Sequence, residues 1–287
     1  MPEIIKLEKD KIINTIRSSL AEDLGGYGDI TSDYLIDCQS SSEAYIICKQ
    51  EEGAVLSGIG VTETVFREVD PGIVFESLAK DSSRVKNYQK VARVSGRTKS
   101  LLAAERTALN FLQHMSGIAT LTKKYTEISK KHGVRIVDTR KTKPLLRMIE
   151  KYAVTCGGGY NHRFGLFDGI LIKDNHIAAA GSVKKAISNI REIAPHCYKI
   201  EVEVTGKKQL KEALDMHADI IMLDNMTDGI LKDSIDTIRD KAPSTVIEVS
   251  GNVSLENLDS ICSLRPDIVS VGKITHSAVA IDFSLEF

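Results

Sequence analysis

No two cysteines in this chain are spaced as CxxC. The five it has, Cys38, Cys48, Cys156, Cys197 and Cys262, are scattered and odd in number. That argues against a zinc site or a disulfide framework and for reduced thiols in a cytosolic protein. Long apolar runs are missing too. IIML at 220–223 is typical of the longest, far short of the roughly 20 residues that span a bilayer. The N-terminal stretch MPEIIKLEKDKIINTIRSSL is amphipathic but holds no apolar core of signal-peptide length. The expected location is the cytoplasm, with no membrane partner. Neither sign of charge dominates: 38 Lys and Arg stand against 39 Asp and Glu, a formal net charge of -1 at pH 7. This balance gives no electrostatic footprint for nucleic acid, so any basic site must be a local cluster. Tryptophan is absent altogether.

What is present is ordinary for a globular protein. Hydrophobic residues make up 42% of the 287 positions and charged residues 27%, enough for a real core in one large or two smaller domains. Ile12, Ile13, Ile16, Leu20 and Leu24 recur at helical spacing over 10–24, and the pattern stops at Gly25 and Gly26. Residues 43–94 change character. AYIICK (44–49), GAVLSG (53–58) and RVKNYQKVARVSG (84–96) are short β-rich segments bounded by Gly or Asp, and VTETVFREV (61–69) between them suits a short helix. This predicts a small α/β unit with a mostly antiparallel sheet. Residues 98–131 suit two helices broken near Ser116 and Gly117, and the domain boundary is expected there.

From residue 133 onward short β-branched runs alternate with helical segments. The runs are VRIVDTRK (134–141), DGILIKDN (168–175), YKIEVEVTG (198–206), ADIIMLDN (218–225), STVIEVSGN (244–252) and PDIVSVGK (266–273). Such alternation implies a parallel sheet, and six units in so short a span suggest a compact (β/α) barrel. An open doubly wound sheet is the runner-up; no GxGxxG follows any of these strands, which counts against it.

In a barrel of this kind the chemistry sits at the C-terminal strand ends. Arg140 and Lys141 follow the first run and Lys173 ends the second, while YNHRFG between them carries His162 and Arg163. Period-two alternation places Glu201 and Glu203 on one face of KIEVEV and Val202 and Val204 on the other. Asp224, Ser250 and Gly272 end the last three runs. Singly, each cation would be a solvated surface group and the glutamates the polar side of an edge strand. Together around one rim they suit a polyanionic substrate. Glu203 buried there needs a facing cation, for which Lys141, Lys173 or a bound divalent metal are available. Arg and Lys would clamp carboxylates or phosphates, Asp and Glu would hold a hard Mg2+ through oxygen, and the SGN and VGK turns fit a phosphate.

DTRKT (138–142), GGGYNHRFGLFDGILIKDNH (157–176), EVEV (201–204), MLDN (222–225) and EVSGN (248–252) resemble the quinolinate phosphoribosyltransferases, also called carboxylating nicotinate-nucleotide pyrophosphorylases. EDLGGYGDITSD (22–33) and AERTALNFLQHMSGIAT (104–120) extend the resemblance over nearly the whole chain, in order. It implies an α/β fold: an N-terminal α/β sandwich over 1–115, joined by 277–287, and an incomplete (β/α) barrel over 116–276 carrying the active site. The implied activity joins quinolinate to phosphoribosyl pyrophosphate, giving nicotinate mononucleotide, carbon dioxide and pyrophosphate in de novo NAD biosynthesis, with Mg2+ as cofactor. Both substrates are thus expected ligands, in a homodimer or higher homo-oligomer. Arg106 would reach the neighbouring subunit's site. Arg140, His162, Arg163 and Lys173 would bind the two carboxylates of quinolinate, Thr139 is a further substrate-binding position, and Lys141 would lie near the phosphoribosyl pyrophosphate. Glu203 and Asp224 would face the ribose and the Mg2+-pyrophosphate. Ser250, Gly251, Asn252, Gly272, Lys273 and Ile274 match the loops that hold the 5′-phosphate. Lys141, Lys173, Glu203 and Asp224 are the catalytic candidates.

One departure is Lys273, where a small residue is common in the family; it puts side-chain roles in that loop in doubt. Cys156 has no evident general base and is expected to be a packed thiol. Other readings stay open: a paralogue acting on another pyridine acid or in molybdenum uptake, a Schiff-base aldolase using Lys173, or a non-catalytic sugar-phosphate sensor.

Overall fold

The computed structural model describes residues 7–287. They divide into two compact units. The first holds the chain up to Lys123 with Lys141–Gly159 and Ile274–Phe287; the second holds Lys124–Arg140 and Tyr160–Lys273.

The first unit opens with helices α1 (Lys9–Leu24) and α2 (Ile30–Leu35). Next come strands β1 (Ser41–Cys48) and β2 (Ala54–Val55), helix α3 (Ile59–Val69), and strands β3 (Val74–Ser77), β4 (Arg84–Val85) and β5 (Lys90–Arg97). A β-rich sequence cut by Gly and Asp thus becomes a four-stranded antiparallel sheet, with the last strand of the chain, β12 (Phe283–Glu286), pairing with β1 at its edge. Helix α3 buries Ile59, Val61, Val65 and Phe66. Its N-terminus is satisfied by Asp81, whose carboxylate accepts from the Gly58 and Ile59 N–H groups at 3.1 Å each. Tyr152, on α5 (Arg147–Cys156), donates to the same carboxylate at 2.7 Å.

The expected helix break at Ser116–Gly117 does not occur. A single helix, α4, runs from Thr98 to Ser129. Gly117 serves close packing instead: a Cβ there would collide with the Val279 carbonyl oxygen. Gly157 and Gly159 have the same explanation, since a Cβ on Gly157 would stand 2.5 Å from the Ala119 carbonyl and one on Gly159 2.8 Å from Thr122 Cγ2, while Gly158 between them has φ 85. Position 115/116 lies inside α4; in the compact units the C-terminal residues from Ile274 group with the first, and so do Lys141–Gly159.

The second unit is built on six parallel strands: β6 (Arg135–Val137), β7 (Ile170–Ile172), β8 (Ile200–Val204), β9 (Ile220–Asp224), β10 (Val246–Ser250) and β11 (Ile268–Ser270). All six runs read from the sequence are strands. Their order in the sheet is β6-β11-β10-β9-β8-β7. The intervening helices include α6 (Asp174–Ala180), α7 (Val183–Ile193), α8 (Lys207–Asp215), α9 (Asp228–Lys241) and α10 (Leu258–Ser263). Among the described residues β6 and β7 are not paired with each other, so the barrel is incomplete rather than closed. Because every strand points the same way, the ends that carry Arg140, Lys173, Asp224, Ser250 and Gly272 lie along one margin of the sheet. Among the described residues no helix is long and apolar enough to cross a membrane.

Candidate active site

The strand registers put the charged residues on a shared face. Glu203 on β8 and Glu248 on β10 are both level with Met222 on β9, while Glu201 is level with Ile220. In a parallel sheet, residues level with one another point the same way, so Glu201, Glu203 and Glu248 share that face. Lys173, just past β7, places Nζ 3.5 Å from Glu203 Oε2. Burial raises the Glu203 carboxyl above its ordinary range, Lys173 opposes that shift, and the negative charge of Asp224 adds to it. Asp224 ends β9 opposite Ser250.

A second cluster is built around the loop after Gly159. Tyr160 adds a parallel bridge to Val137. Asp138, fully buried, accepts from Asn161 Nδ2 at 2.5 Å and from the His162 N–H at 2.9 Å. His162 is thereby turned into the face of the sheet, with Nε2 3.2 Å from Glu201 Oε2 and 3.6 Å from Glu248 Oε1. Arg163 donates from Nη1 to the Gly169 carbonyl at 3.0 Å. Burial, and then the charge of Arg140, lower the Arg163 guanidinium's proton affinity, which marks two cations held close together. Such a pair suits an anionic ligand. Asp168 shapes the loop by accepting from the Phe164 and Gly165 N–H groups at 2.6 and 2.8 Å.

The third cluster is the pair of turns after β9 and β10. Gly251 has φ +93, a conformation L side chains rarely adopt, and a Cβ there would strike the Asn225 side chain. Asn225 and Asn252 are also left-handed, with φ 51 and 49. Asn252 Nδ2 donates to Asn225 Oδ1 at 3.2 Å, and the Asn225 N–H to the Ser250 carbonyl at 3.1 Å. The SGN and LDN turns thus interlock. Beyond β11, Gly272 leads to Lys273, which is exposed and begins the four-residue helix α11 (Lys273–His276).

Of the residues singled out in the sequence, Thr139, Arg140, His162, Arg163, Lys173, Glu203, Asp224, Ser250, Gly251, Asn252, Gly272 and Lys273 all belong to the second unit. Lys141, Ile274 and Arg106 belong to the first. Arg106 lies on α4 with its side chain 61% exposed, 3.8 Å from Glu105. Cys156 is buried beside Val55 and Ala119, and burial raises its thiol, as a packed thiol requires. The residues that sequence reasoning missed are Glu248, Asp138, Asn161 and Asn225. Glu248 carried a usable signal, since it alternates with apolar neighbours in VIEVS as Glu201 and Glu203 do in IEVEV. Asp138 and the two asparagines act through loop contacts that no periodicity reports.

Residues 29–116 match the quinolinate phosphoribosyl transferase N-terminal domain, and residues 118–286 match the C-terminal domain. A probable nicotinate-nucleotide pyrophosphorylase [carboxylating] of Bacillus subtilis is 39% identical over 98% of this chain and 93% of its own length. NadC from Streptococcus pyogenes superposes with a TM-score of 0.92 at 41% identity, covering 99% of this chain and 98% of that one. Human nicotinic acid phosphoribosyltransferase shares the fold alone, with a TM-score of 0.61 at 12% identity over 89% of this chain and 72% of its own. With both domain matches and relatives of this closeness, the chain belongs to the quinolinate phosphoribosyltransferase family.

Proposed function

We propose that this chain transfers the phosphoribosyl group of phosphoribosyl pyrophosphate to the ring nitrogen of quinolinate, releasing pyrophosphate and carbon dioxide and leaving nicotinate mononucleotide. The observation that carries this reading is the gathering of cations, carboxylates and a tight glycine turn along one strand-end margin. Arg140 and Arg163 stand close enough to repel one another, Lys173 pairs with Glu203 at 3.5 Å, and Asp224 with the interlocked Gly251 turn ends the central strands of the sheet. The cations suit a dicarboxylate, and the carboxylates with the glycine turn suit a sugar phosphate with its charge-bearing anomeric carbon.

Glu203 and Asp224 also fit a hard divalent cation. They are oxygen donors of like charge, and that repulsion contributes to holding the Glu203 carboxyl above its ordinary range. Bound there with the pyrophosphate, Mg2+ would supply stabilisation of the leaving group's negative charge. The protein's own part runs as follows. As the bond from the ribose carbon to pyrophosphate loosens, Glu203 and Asp224 stabilise the positive charge that grows on that carbon. Arg140, Arg163 and Lys173 hold the two carboxylates of quinolinate so that its nitrogen lines up with the same carbon. Once the bond forms, the ring is a cation. It accepts the electron pair freed when the carboxylate next to the nitrogen leaves as carbon dioxide, and that carbon then takes up a proton. No covalent enzyme intermediate is required.

The aldolase reading loses ground on one point. Lys173 is 46% exposed and ion-paired with Glu203, unlike the desolvated amine such chemistry uses. We assign the protein to a homodimer in which Arg106 completes the partner's site, and, on its five free thiols, to the cytoplasm. The test is direct. The protein is mixed with quinolinate, phosphoribosyl pyrophosphate and Mg2+, and carbon dioxide and nicotinate mononucleotide are measured. Absence of both sinks the proposal, and equal activity on nicotinate assigns it to a different pyridine acid.

A further inference from the structure

The hydrogen bonds around His162 fix the position of one proton. Nδ1 accepts from the Arg163 N–H at 2.7 Å, so in the neutral ring the proton is on Nε2. Nε2–H faces two carboxylates, Glu201 at 3.2 Å and Glu248 at 3.6 Å. The three groups offer ligand atoms within 4.8 Å of one another, a spacing a metal could use. A metal, however, would need the Nε2 lone pair, and this tautomer has a proton there. The cluster is therefore a hydrogen-bonded unit. Glu248 is 2% exposed, and its Oε1 makes no hydrogen bond. Glu201 is buried as well, at 6%. Two ionised carboxylates cannot share one N–H in such surroundings without strong repulsion.

We propose that Glu248 is held as the neutral acid in the free enzyme and acts as a positioning residue for the dicarboxylate substrate. It keeps His162 seated against Glu201 and keeps one negative charge off the sheet face that His162 and Lys173 share with it. The proposal rests on the functional reading above. The groups that face or share the inner surface with Glu248 are Glu201 and Glu203 on β8, Asp224 on β9, Lys173 after β7, and His162 and Arg163 in the loop. Its β11 neighbour on this side is Ser270, which does not titrate. Burial first, and then the charge of Glu201, push the Glu248 carboxyl up to about 7, with His162 opposing. As pH rises through that value the proton is lost, and a buried negative charge appears behind the substrate's carboxylates.

Two measurements decide the matter. The KM for quinolinate should rise on the order of tenfold between about pH 6 and about pH 8.5, from one added like charge at close range. Glu248→Gln, which carries the shape of the acid but cannot ionise, should flatten that rise, and kcat should change less than KM. A glutamate with only a structural role would alter stability and leave the pH profile's shape intact. The second readout needs no turnover. The infrared difference between the native protein and Glu248→Gln should contain a protonated-carboxyl band near pH 6 that disappears on alkalinisation. A KM rise that persists in Glu248→Gln, a flat native profile, or no such band would each overturn the proposal. If neither turnover nor quinolinate binding is found, the functional reading and the positioning role fall together, and the infrared band alone decides whether Glu248 is an acid.

Discussion

Glu203 and Glu248 stand level with the same residue, Met222, on strands that flank it, yet their surroundings assign them different work. Glu203 has Lys173 at 3.5 Å and retains some exposure; Glu248 is all but sealed, with His162 Nε2 at 3.6 Å and nearer to Glu201. A partly exposed carboxylate beside a cation can meet a developing positive charge, whereas a sealed one can only tune its neighbours. Glu203→Ala should therefore lower kcat on the order of a hundredfold, the usual scale for removing one electrostatic stabiliser of a transition state, while quinolinate affinity changes only severalfold. Steady-state kinetics with a parallel quinolinate binding titration separates the two quantities. An unchanged kcat would remove Glu203 from the chemistry.

At the scale of elements, glycine is where the sequence misled. Ser116-Gly117 looked like a helix break because glycine is a poor helix former, but α4 continues through it and the missing Cβ admits the Val279 carbonyl. Gly117→Ala should destabilise the protein by about 2 to 3 kcal/mol in urea unfolding, because a backbone oxygen cannot move aside as a side chain can. Gly60 is the control. It lies within α3 with nothing within 4 Å of the Cβ position, so Gly60→Ala should stabilise by about 0.5 to 1 kcal/mol. Equal effects from the two substitutions would refute this account of Gly117. The same contrast explains what was legible beforehand. Period-two alternation and β-branched runs gave all six parallel strands, and strand polarity then gathered Lys173, Glu203 and Asp224. The shared seat of His162 was not legible, because it depends on Asp138 gripping a loop more than twenty positions away. The interlock of Asn225 with Gly251 was hidden for the same reason: turns of one sheet end meet only after the strands have paired.

At the scale of the whole molecule, the assignment of Arg106 to a partner's site can be tested without knowing the interface. Arg106 lies on exposed α4 surface, and its near neighbour Glu105 at 3.8 Å makes a weak, solvent-screened pair, so its side chain is available to another molecule. In a twofold dimer each site would draw its Arg106 from one protomer and its Glu203 from the other. Arg106→Ala and Glu203→Ala proteins, each nearly inactive alone, would then combine into mixed dimers holding one doubly altered site and one intact site. Half of the dimers are mixed at equal proportions and each has one working site of two, so unfolding and refolding the two variants together should restore about a quarter of native activity. If Arg106 served the site of its own protomer, every mixed dimer would carry one lesion in each site, and no activity would return at any ratio.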